Sequence, residues 1–163
     1  MSQPVIRNAC PTDLDRCFEI ETVAYAGDEA ASKEKILKRI ETWPEGFIVL
    51  ERDGVVEGFI NSGAAFEVEL SDEAFKELVG HDPEGPHVVI MSVAVHPDAQ
   101  RQGLAGKLIV EFIARMRSLD KRNIHLICQT ELIEMYARYG FEYQGESDSE
   151  HGGLSWHEMI LPL

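Results

Sequence analysis

One stretch, residues 87–106, reads HVVIMSVAVHPDAQRQGLAG and restricts the fold of this chain more than any other segment. The apolar, β-branched run 88–95 predicts a buried strand. His96-Pro97-Asp98 ends it, and Gln100-x-x-Gly103-x-Ala105-Gly106 opens a long amphipathic helix. Positions 103, 105 and 106 carry almost no side chain, so backbone N–H groups there can approach an anion closely at the positive end of the helix dipole. Strand, bare turn and helix in that order make a cradle for a pyrophosphate, and hence for a coenzyme that carries one. The small residues also suit close helix–sheet packing. Arg101 and Lys107 beside them favour the anion, because an acidic chain needs local positive charge to hold an anionic ligand.

The chain is acidic, with a formal net charge of -14 over 163 residues. That argues against nucleic acid or an anionic membrane as a partner and enriches cations, protonated amines among them, near the surface; plain solubility is the equal alternative. A hydrophobic content of 44% suffices for one domain, 1–163, with a real core. No apolar run approaches the ~20 residues that cross a bilayer. The opening MSQPVIRNA has neither a basic leader nor an apolar signal segment, so no export is expected. Cys10, Cys17 and Cys128 are odd in number, widely spaced and outside any metal-ligand spacing, which suits a reducing cytoplasm.

Along the chain, 5–8 reads as a short strand. Thr12 with Asp15 reads as a capping pair for a helix to about Ala24, with Leu14, Cys17, Phe18 and Ala24 on its apolar side. Ser32 caps a second helix over 33–43, with Ile36, Leu37 and Ile40 turned inward. Strands over 47–51 and 55–65 are joined by Arg52-Asp53-Gly54, a hairpin signal. A short helix is expected over 71–79, then a glycine- and proline-rich loop to Pro86. Beyond the cradle, Leu104, Leu108, Ile109, Phe112, Ile113 and Met116 recur at helical spacing. A strand (124–128), a short helix (131–139), a strand (141–145), a polar loop and a last strand (156–161) complete the mixed α/β pattern.

This order resembles the GNAT superfamily of acetyl-CoA-dependent N-acetyltransferases. Gln100-x-x-Gly103-x-Ala105 is similar to that family's pyrophosphate motif, and Tyr136-x-x-x-Gly140-Phe141 follows at the expected later place. Within the superfamily the chain resembles the arylalkylamine N-acetyltransferase branch, through Glu19-Ile20-Glu21-x-x-Ala24-Tyr25, Ser92-Val93-Ala94-Val95-His96-Pro97, and Cys128 with Leu132, Tyr136, Arg138 and Phe141. The resemblance implies a single α/β domain with a mixed six- to seven-stranded sheet, four or five flanking helices, and fourth and fifth strands that splay apart. It implies acetyl-CoA as co-substrate, no metal, a small-molecule amine as acceptor (arylalkyl or polyamine-like) and a homodimer. The residues it assigns to the coenzyme are Val93, Ala94, Val95, Gln100, Arg101, Gln102, Gly103, Leu104, Ala105, Gly106, Lys107, Glu131 and Tyr136. One departure stands out: where that branch has two histidines on the fourth strand that relay protons, this chain has Val89 and Met91.

The chemistry sets its own requirements. An alkylamine of pKa ~10.4 is about 99.9% protonated at pH 7, so reaching the neutral nucleophile costs roughly 4 to 5 kcal/mol unless a base takes the proton. Negative charge on the thioester oxygen needs a fixed donor, which the resemblance assigns to a backbone N–H within 93–95. The leaving thiolate needs a proton, and the family pattern supplies Tyr136; packing of Tyr136, Tyr139 and Phe141 onto the sheet is the structural alternative. For the base, His87 shares strand parity with Val89 and Met91 and can work through water, or it is an edge histidine with no task. Glu21 holds or deprotonates a cationic substrate, or is a solvated helix charge. Tyr25, Asn61 and Phe66 are the candidate substrate-binding residues, with Glu67 and Glu69 at an entrance or on a solvated rim. A lysine or N-terminal protein acetyltransferase and a weakly catalytic acyl-CoA sensor remain alternatives.

Overall fold

The computed structural model describes residues 3–25, 30–68, 78, 80–147 and 156–163. Seven strands run in the hydrogen-bonded order β1-β2-β3-β4-β5-β7-β6. They are β1 (Val5–Asn8), β2 (Phe47–Arg52), β3 (Val55–Ala65), β4 (His87–Val95), β5 (Asn123–Cys128), β6 (Glu142–Glu146) and β7 (His157–Pro162). Four α-helices stand among the described residues: α1 (Leu14–Ala24), α2 (Lys33–Thr42), α3 (Leu104–Ser118) and α4 (Ile133–Arg138). This is the expected mixed α/β architecture, with most boundaries displaced by one or two residues. The helix expected over 71–79 and the rim candidate Glu69 lie outside the described residues.

Contacts within the chain define two compact units, 1–62 with 92–112, and 63–91 with 113–163. In the first, β1, β2 and β3 pair antiparallel, turning at Asp53 and Gly54, both with positive φ (57° and 81°). Asp and Gly tolerate that region, which is why this dipeptide closes the hairpin. Helices α1 and α2 bury Cys17, Ile20, Ile36 and Ile40 against Phe47, Val49, Val56 and Phe59. Ser32 caps α2 as expected, its hydroxyl accepting from the Lys35 N–H at 3.3 Å.

The start of α1 corrects the sequence expectation. The capping pair is Cys10 and Asp13, not Thr12 and Asp15: the Cys10 N–H donates to the Asp13 carboxylate at 2.9 Å across a 3₁₀ turn. Asp13 is there because Arg7 of β1 grips both its oxygens (2.8 and 2.9 Å), and that guanidinium holds the Asp13 carboxyl below the usual range. Ala24, expected on the apolar side, is exposed, and the buried residues of α1 are Cys17, Ile20 and Glu21.

In the second unit the first three residues of β4 pair parallel with β5, from His87↔Asn123 to Val89↔His125, and the pairing stops there. Strands β5, β7 and β6 continue antiparallel. Burial alternates strictly along β5, with Ile124, Leu126 and Cys128 buried and Asn123, His125 and Ile127 half-buried. One face of the sheet is therefore core and the other partly open.

Candidate coenzyme and acceptor site

In the first unit residues 92–106 of that motif form the expected turn. His96 N–H bonds the Glu57 carbonyl at 2.8 Å, ending β4 against β3, and the His96 ring caps a 3₁₀ turn at Pro97–Ala99 by accepting from the Asp98 N–H. Gln100 spends its side chain internally, its Nε2 donating to the Val95 carbonyl at 3.1 Å. Arg101 and Gly103 both have positive φ (65° and 76°), and alternation of that kind turns successive N–H groups to one side. A Cβ added at Gly103 would meet no atom within 4 Å, so the space over it is open. Helix α3 begins at Leu104, and its first intrahelical acceptor outside the element is the Gly103 carbonyl, which takes the Lys107 N–H. Among the described residues no backbone N–H from 101 to 106 has a hydrogen-bond partner.

The surroundings are cationic where the rest of the chain is acidic. Arg101 and Lys107 are exposed and, among the described residues, in no ion pair. Arg52 donates to Gln102 Oε1 at 2.6 Å and reaches Glu57 at 3.3 Å, so Gln102 contributes its amide and not its side chain to the open face. A cavity of ≈ 600 Å³ opens beside the turn, lined by Gln3, Arg52, Asp53, Gln102, Leu104 and Lys107. α3 lies tight on the sheet because Gly58 permits it: a Cβ there would stand 2.8 Å from the Ala94 carbonyl oxygen and 3.2 Å from Leu108. Ala94 is buried in the core under α1 and α2.

Val93 brings a finding the sequence did not signal. Its carbonyl accepts from the Tyr25 hydroxyl at 2.8 Å, and its N–H donates to the same hydroxyl at 3.2 Å. Tyr25 thus sits on the backbone of the segment expected to donate to an acyl oxygen. Asn61, by contrast, is wholly buried, its Oδ1 accepting from Arg39 at 3.4 Å. Phe66 lies 59% exposed at the end of β3.

Glu21 is 1% exposed, which removes the solvated-charge alternative. Its carboxylate accepts from the Ala31 N–H at 2.8 Å, tying α1 to the residue before the α2 cap. The buried cation near it, Arg39, was missed. Burial pushes its guanidinium down to about 10, while the negative charge of Glu21 opposes that shift. A signal existed: Arg39 falls between Ile36 and Ile40 on the inward stripe of α2.

In the second unit Tyr136 is 5% exposed and packs edge-on to Phe141 at 5.6 Å, so the packing account describes its ring whatever its hydroxyl does. Glu131 is exposed in a 3₁₀ turn (Thr130–Leu132). Cys128 points its thiol at Met159 (3.8 Å), and burial pushes it up to about 11, which suits a structural thiol and not a nucleophile. His87 Nδ1 lies 2.9 Å from Asn123 Oδ1. His157 bonds Thr130 and Tyr143, and no group of three metal-ligating side chains occurs among the described residues.

The sequence model of the acetyltransferase (GNAT) family matches residues 13–141, and the chain belongs to that family of acetyl-CoA-dependent acyltransferases. Over 94% of its length it is 25% identical to serotonin N-acetyltransferase of Mesocricetus auratus, covering 74% of that protein. Over 98% it is 24% identical to a probable hydrolase, YhcX, of Bacillus subtilis, of whose length it spans only 31%. The loading GNATL domain of CurA from Lyngbya majuscula superimposes with a TM-score of 0.86 at 17% identity, covering 98% of each chain. The acetyltransferase yncA of Salmonella typhimurium, solved with acetyl-CoA, gives 0.72 at 24% identity over 99% of this chain and 95% of that one. No described helix is long and apolar enough to cross a membrane.

Proposed function

We propose that this chain transfers the acetyl group of acetyl-CoA to a small primary amine, arylalkyl or polyamine-like, by direct attack, in a reducing cytoplasm. A homodimer paired through a sheet edge belongs to the same reading. The observation that carries it is the run of unpartnered N–H groups at 101–106 under the open face of Gly103. A cluster of bare donors at a helix start is costly unless water or an anion satisfies it, and Arg101 and Lys107 select the anion.

The residues fit the coenzyme. Amides 101–106 with Arg101 and Lys107 would hold the pyrophosphate, and the cavity beside Arg52 and Lys107 is polar enough for part of the nucleotide. When bound, acetyl-CoA supplies an acetyl group on a good leaving group. The chain supplies the rest. A backbone N–H within 93–95 stabilises charge on the acyl oxygen. Tyr136, assigned by its motif, gives its proton to the departing sulfur, and His87 takes the proton of the amine. The charge of the buried Glu21 carboxylate is offset by the neighbouring Arg39 guanidinium, and Tyr25, Asn61 and Phe66 are the remaining acceptor-side candidates. The 25% identity to serotonin N-acetyltransferase supports the arylalkylamine choice.

A panel of arylethylamines, polyamines and peptides with acetyl-CoA tests the reading, with Tyr136→Phe as control. Loss of about a hundredfold or more in kcat with coenzyme affinity intact supports catalysis through Tyr136. Tight CoA binding without turnover on any member would make the chain a sensor.

A further inference from the structure

Gln102 lies between the two left-handed residues of the anion turn, Arg101 (φ 65°) and Gly103 (φ 76°). That backbone is unfavourable for an L-residue such as Arg101 and persists only where its surroundings hold it. The near end of the turn is held twice, by the His96 ring on the Asp98 N–H and by Gln100 Nε2 on the Val95 carbonyl. The far end has one side-chain tie among the described residues: Gln102 Oε1 accepts from Arg52 Nη1 at 2.6 Å. Arg52 ends β2, and its Nη2 reaches Glu57 Oε2 at 3.3 Å. Glu57 is available because β3 is irregular there: Leu50 pairs with Gly58 and Glu51 with Val56, which leaves Glu57 without a register partner. An extra residue of that kind re-aims its side chain. Arg16 of α1 stands 3.8 Å from the other carboxylate oxygen. The Glu57 carbonyl takes the His96 N–H at 2.8 Å, so one residue of β3 anchors both ends of the turn.

We infer that Arg52 is a positioning residue for the coenzyme. It ties Gln102 to the β2–β3 hairpin and so keeps the 101–103 amides aimed together before any anion arrives. Amides that converge on one side bind an anion as a group, and a cradle set in advance loses less freedom on binding. Arg52 acts through Gln102 and not on a phosphate, because Nη1 and Nη2 are already spent on protein oxygens and Glu57 offsets the guanidinium charge. Arg101 and Lys107, exposed and in no ion pair among the described residues, are the cations left for the ligand. The tie also needs arginine itself. A planar fork can span Gln102 and Glu57 at once, whereas an ammonium is a single point of charge.

This inference rests on the coenzyme cradle proposed above, and its test separates the two. Arg52→Met, Arg52→Lys, Gln102→Met and the Arg52→Met/Gln102→Met double variant are compared with the unmodified protein. Calorimetry gives the Kd of CoA and of dephospho-CoA, which lacks only the 3′-phosphate. NMR relaxation gives backbone order parameters at 101–103 without ligand. One exposed hydrogen bond is worth about a 3- to 10-fold change in Kd. Arg52→Met and Gln102→Met should each weaken both ligands by about that factor, and the double variant by no more than either alone. Arg52→Lys should not restore affinity, and order parameters should fall in all four variants. Rescue by lysine, a loss confined to CoA, or losses that multiply in the double variant would mean that Arg52 touches a phosphate itself, which overturns the inference. Unchanged order parameters overturn it as well. So does a purely structural tie, which would lower Tm and leave both affinities alone. Order parameters that fall as expected in a protein that binds neither ligand would sink the coenzyme cradle and leave the Arg52–Gln102 tether standing.

Discussion

Replacing Gly103 by alanine separates a backbone that is strained for geometry from one that is kept bare for a ligand. At φ 76° an L-residue costs about 1 to 2 kcal/mol. The new methyl meets no protein atom within 4 Å, so nothing else in the empty protein opposes it. For a chain of this length that strain lowers Tm by roughly 3 to 6 °C. The coenzyme experiences something different, because the methyl enters the space a phosphate would use to reach the neighbouring amides. Loss of one charge-assisted hydrogen bond is worth about 1.5 to 3 kcal/mol, a 10- to 100-fold weaker Kd. Gly80 provides the matched comparison: φ is 87°, and an added Cβ there also meets nothing. Gly80→Ala should lower Tm by a similar amount and leave CoA affinity unchanged. Calorimetric titration of CoA into the three proteins, beside their melting curves, decides the matter. Equal affinities in all three would refute the pyrophosphate cradle.

Two further outcomes follow from the interior charges. Arg39→Met strands the Glu21 carboxylate in the core and should lower unfolding free energy by about 3 kcal/mol, with Glu21→Gln/Arg39→Met recovering most of it; urea unfolding of the single and double variants checks this, and additive losses would contradict it. His125 titrates at about 4 in the fold against 6.5 ordinarily, so the unfolded chain takes up its proton first as pH falls. Stability attributable to this residue should therefore decline as pH drops from 6.5 to 4 and level off below; His125→Gln should flatten that part of the urea-midpoint profile, and identical profiles would deny it.

The elements were legible because their signals are local. Alternation in 123–128 and the helical recurrence from Leu104 to Met116 each report a face, and those six apolar helix residues are all buried. Gly85 shows where local reading stops: in sequence it is one more loop glycine, yet a Cβ there would lie 2.3 Å from the backbone of Ala65. The capping pair expected at Thr12 and Asp15 is replaced by Cys10 and Asp13 at the 3₁₀ turn that leads into α1, because Arg7, on a neighbouring strand, recruits Asp13. The Tyr25–Val93 contact joins residues 68 apart, and no spacing rule reaches that far. Arg39 and His125 were readable in principle, since each sits at a known position of its periodicity, but a charged or polar residue on such a stripe declares its burial only once its partners are known.

The docking of Tyr25 on Val93 bears on idle hydrolysis. A hydrogen aimed at an acyl oxygen makes a thioester vulnerable to water as readily as to an amine. In the proposed reaction the Val93 N–H is one of the three candidate donors within 93–95; while the phenol holds it, the empty protein keeps it out of circulation, and one N–H cannot serve two oxygens fully. Any guest whose carbonyl is to be polarised at Val93 must first evict the phenol, so loading and activation would become one event.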